Sequence, residues 1–287
     1  MNKIKIITDA SATLPENVFN ENDVGVVDLK IIWLEEDIDG DLFKKMRNTL
    51  TNTSPKTSQP SVGDFKKAFE NAFKTYDEII CITISTGTSG TYNSAMQAIK
   101  FLPKEKQNNV AIIDSFIVDG GQGLIVLKAV ELVQKGLGFK EIILKLEKFK
   151  KGVGLVGFAG DPKWLERNGR LSKAGANIIR QMEKVGIRPL LTIKNGKVAV
   201  TSIKFKAKDK TESILRELKE RIKDKEAILA ITHGDAIHVA EDLKQKLTKE
   251  CPNIKVLFID EINSVIGCHL GPDGIICSYY LKENDVI

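Results

Sequence analysis

Residues 79–84 read IICITI and residues 85–94 read STGTSGTYNS, and this succession sets the architecture of the chain. The apolar and β-branched run predicts a buried strand, and the small hydroxyl-rich residues after it predict a loop that leads into a helix. A helix start leaves backbone N–H groups unpaired and carries the positive end of the helix dipole. Several hydroxyls at that position predict a site for a small anion, such as a phosphate or a carboxylate.

A second hydroxyl-rich segment, TSQPS at residues 57–61, precedes a stretch with helical periodicity at 63–75. Two interpretations stay open for Thr57, Ser58 and Ser89. They bind an anion, or their hydroxyls cap the helices that follow. Both roles are compatible with one another.

The first half of the chain alternates short apolar runs with amphipathic stretches, which predicts a parallel sheet covered by helices. Strands are expected at 4–8, 24–29, 79–84 and 110–114, and helices at 63–75, 89–100, 121–134 and 139–150. Ligands of such sheets bind beyond the carboxyl ends of the strands, where the hydroxyl-rich loop at 85–91 is expected.

The pattern changes near residue 155. Expected strands at 187–193 and 198–206 flank Asn195 and Gly196, a pair typical of tight hairpins, so antiparallel pairing is expected here. Further strands are expected at 153–159, 228–232, 256–259 and 275–280, with helices at 161–167, 208–223 and 235–247. The fold class is therefore α/β with two domains: an N-terminal parallel-sheet α/β domain at 1–158 and a smaller C-terminal α+β domain with antiparallel strands at 159–287.

Composition excludes several classes of function. Lys and Arg exceed Asp and Glu by 43 to 38, a net charge of +5 that is too small and too scattered to predict nucleic-acid binding. We expect no signal peptide from the first residues, and no apolar run approaches the length of a membrane span. The four cysteines have no CxxC spacing and only three histidines are present, so we expect reduced packing cysteines, no metal site and a cytoplasmic protein.

No motif for nucleotide chemistry stands out. The segment DGGQG at 119–123 lacks the GK[ST] ending of a phosphate loop and the spacing of a dinucleotide fingerprint, so its glycines are expected to allow a tight turn or a close approach to a ligand. Paired catalytic carboxylates are also not evident. We therefore predict no catalytic residue and a protein that is not itself an enzyme.

Six segments in order resemble the DegV family, and together they cover essentially the whole chain. They are TDASATLP at 8–15, TSQPS at 57–61, SGTYNSA at 89–95, IDS at 113–115, LERNGRLS at 165–172 with IRPLL at 187–191, and HLGP at 269–272. The sequence departs from the family pattern at Ala10, Asn168 and Asp273, the last of which places a possible negative charge near the HLGP turn.

This resemblance implies a bacterial protein that binds a long-chain, palmitate-like fatty acid in an internal tunnel and needs no other cofactor. Thr57 and Ser89 would hold the carboxylate, aided by Ser58, Gly90, Thr91 and His269. The protein would present the acid to an ATP-dependent fatty acid kinase for phosphorylation toward phospholipid synthesis, with transient membrane contact as a further expectation.

Other residues keep two interpretations. Arg167 and Arg170 form a docking edge for the kinase or a steering charge for phosphate, or they are solvated arginines on a turn. His233 is expected to be a loop histidine at a domain surface. Phe158, Ile266, Ile275 and residues 124–133 are candidate tunnel walls or ordinary core.

A rival reading assigns residues 85–91 to an enzyme acting on a phosphosugar or another small anion, because similar loops bind phosphoesters in sugar-phosphate isomerase domains. His269 or a glutamate would then act as the base. A third reading is an interaction module whose loops only cap helices. The space behind Ser89 distinguishes the lipid-binding interpretation from the enzyme interpretation. The tail of a lipid needs an apolar tunnel there, and a sugar needs a polar pocket.

Overall fold

A computed structural model of the chain describes residues 2–33, 36–37, 42–49, 53–204 and 209–284. Its strands are β1 Ile4–Asp9, β2 Gly25–Val27, β3 Lys30–Trp33, β4 Glu36–Asp37, β5 Lys56–Ser58, β6 Glu78–Thr83, β7 Val110–Asp114, β8 Val153–Phe158, β9 Arg188–Lys194, β10 Lys197–Lys204, β11 Ala227–His233, β12 Ile254–Glu261 and β13 Ile275–Leu281. Its helices are α1 Glu16–Glu21, α2 Leu42–Asn48, α3 Val62–Ala72, α4 Thr91–Ile99, α5 Lys104–Gln107, α6 Asp119–Gln134, α7 Phe139–Phe149, α8 Lys163–Arg167, α9 Lys173–Lys184, α10 Lys210–Ile222, α11 Ile237–Glu250 and α12 Ser264–Leu270.

The N-terminal half forms the predicted parallel sheet, in the order β2-β1-β6-β7. Strand β6 is almost entirely buried, as its uninterrupted apolar run requires of a central strand covered on both faces. The loop 84–90 therefore leaves the carboxyl edge of the sheet and leads into α4, as the sequence predicts.

The C-terminal half forms a six-stranded sheet in the order β10-β9-β8-β13-β11-β12. Its pairs are antiparallel except for β11 and β12, which are parallel. The predicted hairpin joins β9 to β10, and Asn195 and Gly196 both have positive φ, at 51° and 75°. That geometry suits the two-residue turn whose twist matches the strands, so the antiparallel prediction is confirmed.

A third sheet, β4-β3-β5, is antiparallel and was not predicted. It rules out the interpretation that Thr57 and Ser58 cap the helix that follows them. Thr57 and Ser58 lie in β5, and the N-cap of α3 is Ser61. The Ser61 side chain accepts from the Asp64 N–H while Asp64 accepts from the Ser61 N–H, a reciprocal capping box.

Helix α6 packs against strands of both large sheets. Its first turn contains the DGGQG segment, and a Cβ at Gly123 would lie 2.4 Å from the Thr13 carbonyl oxygen. These glycines therefore permit close packing of a central helix rather than contact with a ligand. One apolar core runs from the first sheet through α6 to the second, with Ile82, Ile125 and Leu155 among its members.

Strand β8 does not lie where the predicted domain division at 158/159 puts it. That division places β8 in the first domain, whereas the strand pairs with β13 and β9 in the six-stranded sheet. The sheet of the second half thus begins at Val153, and the two-domain boundaries stay a prediction. The predicted end of a strand at 206 and start of a helix at 208 fall outside the described residues.

Candidate ligand-binding site

An apolar cavity lies between the two large sheets, behind the loop that follows β6. The space between its lining residues, counted together with the solvent at its opening, is about 730 Å³. Aliphatic side chains form most of its wall: Leu29, Ile84, Val118, Leu155, Leu165, Leu191, Ile193, Val198, Val265, Ile266, Leu270 and Ile276. The space behind Ser89 is therefore not filled by side chains, and most of its wall is aliphatic.

A polar basin, open to solvent, adjoins this cavity. The two share Thr57, Thr88, Ser89 and Arg170 as lining residues. The basin is further lined by Ser58, Gln59, Gly87, Gly90 and Gly169. The polar residues that the sequence singled out thus gather where an apolar interior meets an open polar surface.

Thr57 and His269 contact one another directly, although 212 positions separate them. The Thr57 Oγ1 lies 3.0 Å from the His269 Nε2, and both side chains line the cavity. His269 belongs to the last turn of α12, not to a turn between elements as the HLGP resemblance suggests. The C-cap of that helix is Gly271, whose φ of 78° suits glycine.

The environment of His269 keeps its imidazole neutral. Burial lowers its pKa to about 4, and the nearby positive charge of Arg170 acts in the same direction. Its Nδ1 atom is buried and has no hydrogen-bond partner among the residues that the structure describes. A neutral imidazole donates through one nitrogen and accepts through the other, so its tautomer governs which way the Thr57 hydroxyl points.

Ser89 and Thr91 stand together at the start of α4. Their hydroxyl oxygens lie 2.8 Å apart, and the Thr91 N–H points at the Ser89 Oγ over 3.4 Å. Thr91 is fully buried, so its hydroxyl orients Ser89. The N-cap position itself is Gly90, which has no side chain to cap the helix. Ser89 is therefore not the N-cap residue of α4, whereas Ser61 is the N-cap residue of α3.

The two predicted docking arginines occupy different places. Arg170 lines both the cavity and the basin, and its Nη1 donates to the Asn168 carbonyl oxygen over 2.6 Å. Arg167 is exposed and lies over the Trp164 ring, with its Nη1 donating to the Thr53 carbonyl oxygen. Arg170 is thus part of the site, whereas Arg167 lies on the surface beside it. Ser58 is exposed at the rim of the basin.

The structure decides between cavity wall and ordinary core for each of the candidate tunnel residues. Ile266 lines the cavity. Phe158 and Ile275 pack into a separate core on the opposite face of the second sheet, and residues 124–133 of α6 do not line the cavity. Part of the wall that sequence reasoning missed comes from the β9–β10 hairpin, whose alternating apolar residues are indistinguishable from ordinary core in a sequence.

Two further side chains have environments that differ from expectation. Asp273 is largely exposed and shares Arg47 with Asp235, so its charge is partly compensated, and it does not line the cavity. His233 is buried at the end of β11 rather than on a domain surface. Its Nδ1 accepts from the Ala236 N–H, and burial lowers its pKa.

Among the described residues, no cluster of three or more His, Cys, Asp or Glu side chains is arranged to hold a metal ion. Nor does any helix within the described ranges combine the length and apolarity of a membrane span.

Fold and site together define a class: two-domain α/β proteins with an enclosed apolar cavity that opens into a polar, hydroxyl-lined mouth. The chain belongs to the DegV family, because the family model described as "Uncharacterised protein, DegV family" matches residues 3–281. Protein DegV of Bacillus subtilis is 30% identical over 280 residues, which cover 93% of this chain and 95% of that protein.

Two solved structures share the fold. A DegV family protein from Thermus thermophilus, described for its fatty acid binding, superposes with a TM-score of 0.85 at 25% identity, covering 97% of this chain and 99% of the other. DegV from Bacillus subtilis, described as a fatty acid binding protein, gives a TM-score of 0.82 at 26% identity, covering 98% and 100%.

Proposed function

We propose that this protein binds a long-chain fatty acid, with its tail in the apolar cavity and its carboxylate at Thr57 and Ser89. The observation that carries this proposal is the junction of the two spaces: an aliphatic cavity ends at a cluster of two hydroxyls, an imidazole and a guanidinium. The description of the Thermus thermophilus and Bacillus subtilis relatives as fatty acid binders supports it.

The aliphatic wall supplies most of the binding free energy. Each methylene moved from water into an apolar environment contributes about 0.8 kcal/mol. Association and ordering of the flexible chain offset roughly 4–15 kcal/mol of the total. The contacts to the carboxylate therefore mainly orient the acid and keep its charge from being buried without partners.

The head group is recognised by neutral donors and one cation. In the tautomer with the proton on Nε2, His269 donates to the Thr57 Oγ1 and leaves the Thr57 hydroxyl hydrogen free for a carboxylate oxygen. Ser89 and the first N–H groups of α4 donate from the other side. Arg170 supplies the positive charge at the mouth, where it lines both spaces.

The protein would act as a carrier that presents its acid, not as a catalyst. The hydroxyl-bearing mouth opens into the basin, so a bound carboxylate would be reachable from outside while the tail stays covered. That arrangement suits an ATP-dependent kinase that docks over the basin, near Arg167 and Arg170, and forms an acyl phosphate for phospholipid synthesis. Transient contact with a membrane remains a prediction of the same scheme.

Lipid extraction of gently purified protein, followed by mass spectrometry, tests the proposal. We expect long-chain acids in about one equivalent. In a competition assay with a fluorescent acyl probe, the C12 acid should bind about 200-fold more weakly than the C16 acid, because four methylenes contribute about 3 kcal/mol. A sugar phosphate that displaces the probe better than either acid would favour the rival enzyme instead.

The head-group residues provide the second arm of the test. Thr57→Val and Ser89→Ala should each weaken binding of the acid about tenfold without abolishing it, since each removes one hydrogen bond to a charged group. Thr49→Val is a matched control, because the Thr49 hydroxyl donates to the Lys45 carbonyl oxygen in an exposed hydrogen bond and Thr49 does not line the cavity. Unchanged affinity in both site variants would place the carboxylate elsewhere.

A further inference from the structure

Gln59 is the one polar side chain of the TSQPS segment that neither carboxylate binding nor helix capping explains. It lies in the loop between β5 and α3, two residues after Thr57. Its Nε2 crosses to α4 and donates to the Ser94 Oγ over 2.9 Å. Ser94 is buried and sits one turn after Ser89, so the amide of Gln59 joins the two segments that carry the proposed carboxylate ligands.

The same amide lies directly on Gly90. A Cβ at position 90 would be 2.1 Å from the Gln59 Oε1, 2.8 Å from its Cδ and 2.9 Å from its Nε2. The φ of Gly90 is −81°, which any residue adopts, so what a Cβ would first meet here is the end of the Gln59 side chain, which would have to move aside. The close approach that Gly90 permits is thus that of the Gln59 side chain.

No backbone ladder among the described strands ties the two walls of the mouth together. Thr57 belongs to the β4-β3-β5 sheet, whereas Ser89 follows β6 of the parallel sheet. The separation between their hydroxyls therefore depends on the packing of α3 against α4 and on side-chain contacts at the mouth itself. The Gln59–Ser94 hydrogen bond links the two walls, two residues after Thr57 on one side and five residues after Ser89 on the other.

We propose that Gln59 is a positioning residue, which holds the Thr57 and Ser89 walls at the spacing that a carboxylate needs. This inference rests on the fatty acid binding proposed above. Gln59 is itself exposed and its hydrogen bond to Ser94 is partly buried, so we expect its loss to cost no more stability than that of an ordinary neutral hydrogen bond. Its effect falls on the geometry of the mouth, where charge-assisted hydrogen bonds weaken steeply when donor and acceptor are displaced.

A double-mutant cycle with two ligands tests the inference. Dissociation constants of hexadecanoic acid and hexadecan-1-ol are measured for the wild type, Gln59→Ala, Ser94→Ala and the double variant. The alcohol has the same tail as the acid, but it has no charged group for Thr57 and Ser89 to bind from two sides. We expect each single variant to weaken acid binding about tenfold and alcohol binding less than twofold. The double variant should be no weaker than the worse single one, because both remove the same bond.

Gln97→Ala is the matched control. Gln97 is an exposed glutamine on α4, the helix that carries Ser94, and it lies away from the mouth. Its replacement should change the dissociation constant of neither ligand. Equal losses for acid and alcohol, or additive losses in the double variant, would show that Gln59 acts through general stability or not at all. Those results overturn the positioning role while leaving fatty acid binding intact. A wild type that binds neither ligand would overturn both proposals.

Discussion

His269 shows how one residue acquires its chemistry from its surroundings. In the sequence it is a histidine before Leu-Gly-Pro, equally suited to packing or to binding. In the structure, burial and Arg170 keep it neutral, and Thr57 lies within hydrogen-bond distance of its Nε2. Its neutrality makes it a fixed hydrogen-bond partner rather than a counter-ion, which leaves Arg170 as the cation at the mouth.

The lowered pKa of His269 predicts a pH-dependent stability. The unfolded imidazole takes up a proton below pH 6.5, whereas the folded one stays neutral to about pH 4. The unfolded state therefore binds more protons between these values, so the free energy of unfolding falls as the pH falls through this window, by on the order of 2 kcal/mol. Urea unfolding of lipid-free protein at pH 7 and pH 4.5 measures it.

His269→Gln is the comparison for that measurement, because glutamine can keep a hydrogen bond to Thr57 and does not titrate. The variant should lose less stability than the wild type over the same pH interval. Equal losses in both proteins would mean that His269 titrates in the native state as it does in the unfolded chain.

Among the secondary-structure elements, the β9–β10 hairpin has the least expected role. Its apolar residues wall the cavity, and its turn rests on the loop after β6. The Ser85 Oγ donates to the Gly196 carbonyl oxygen over 2.8 Å, and a Cβ at Gly87 would lie 2.4 Å from that same oxygen. A hairpin of the second half thus closes over the loop of the first half that carries Ser89.

This contact predicts opposite effects for two identical substitutions. Gly87→Ala should destabilise the protein by about 1–3 kcal/mol, because the new methyl group forces the rigid hairpin backbone away. Gly63→Ala should stabilise it by about 0.5–1 kcal/mol, because position 63 lies in the first turn of α3 and meets only the Ser61 Oγ at 3.6 Å. Thermal unfolding of both variants gives the comparison, and a stable Gly87→Ala protein would mean that the hairpin yields easily.

At the level of the whole molecule, the two large sheets share one apolar core and one central helix. Asp119 in the first turn of α6 is fully buried and accepts from Thr13 of the first half and from Thr232 of the second. A buried carboxylate with hydroxyl partners from both halves couples their packing, since losing either partner would leave it poorly satisfied.

Shared packing predicts that both halves unfold together. The chain has two tryptophans, Trp33 in β3 and Trp164 in α8, and both are buried. Trp33→Phe and Trp164→Phe each leave one reporter, and far-UV circular dichroism follows the whole chain. Within each single-tryptophan protein, we expect the fluorescence and dichroism midpoints in urea to coincide. Separate midpoints would show that the halves are independent folding units.

Much of the architecture follows from local sequence. The apolar run of β6 predicts a central strand because both faces of such a strand must be buried, and Asn195-Gly196 predicts the hairpin because both residues adopt positive φ readily. The hydroxyls of Thr57 and Ser89 can also be picked out from local sequence, because they lie in segments of small residues beside long periodic elements.

What the linear sequence left open depends on contacts between distant residues. Packing between residues 30 to more than 200 positions apart decided three features of the site. Thr57 lies in a strand against His269, and Gln59 rests on Gly90. The β9–β10 hairpin, and not α6, forms part of the cavity wall. Periodicity reports whether a side chain is buried but not what it is buried against. A cavity wall and a solid core therefore look alike until the chain is folded.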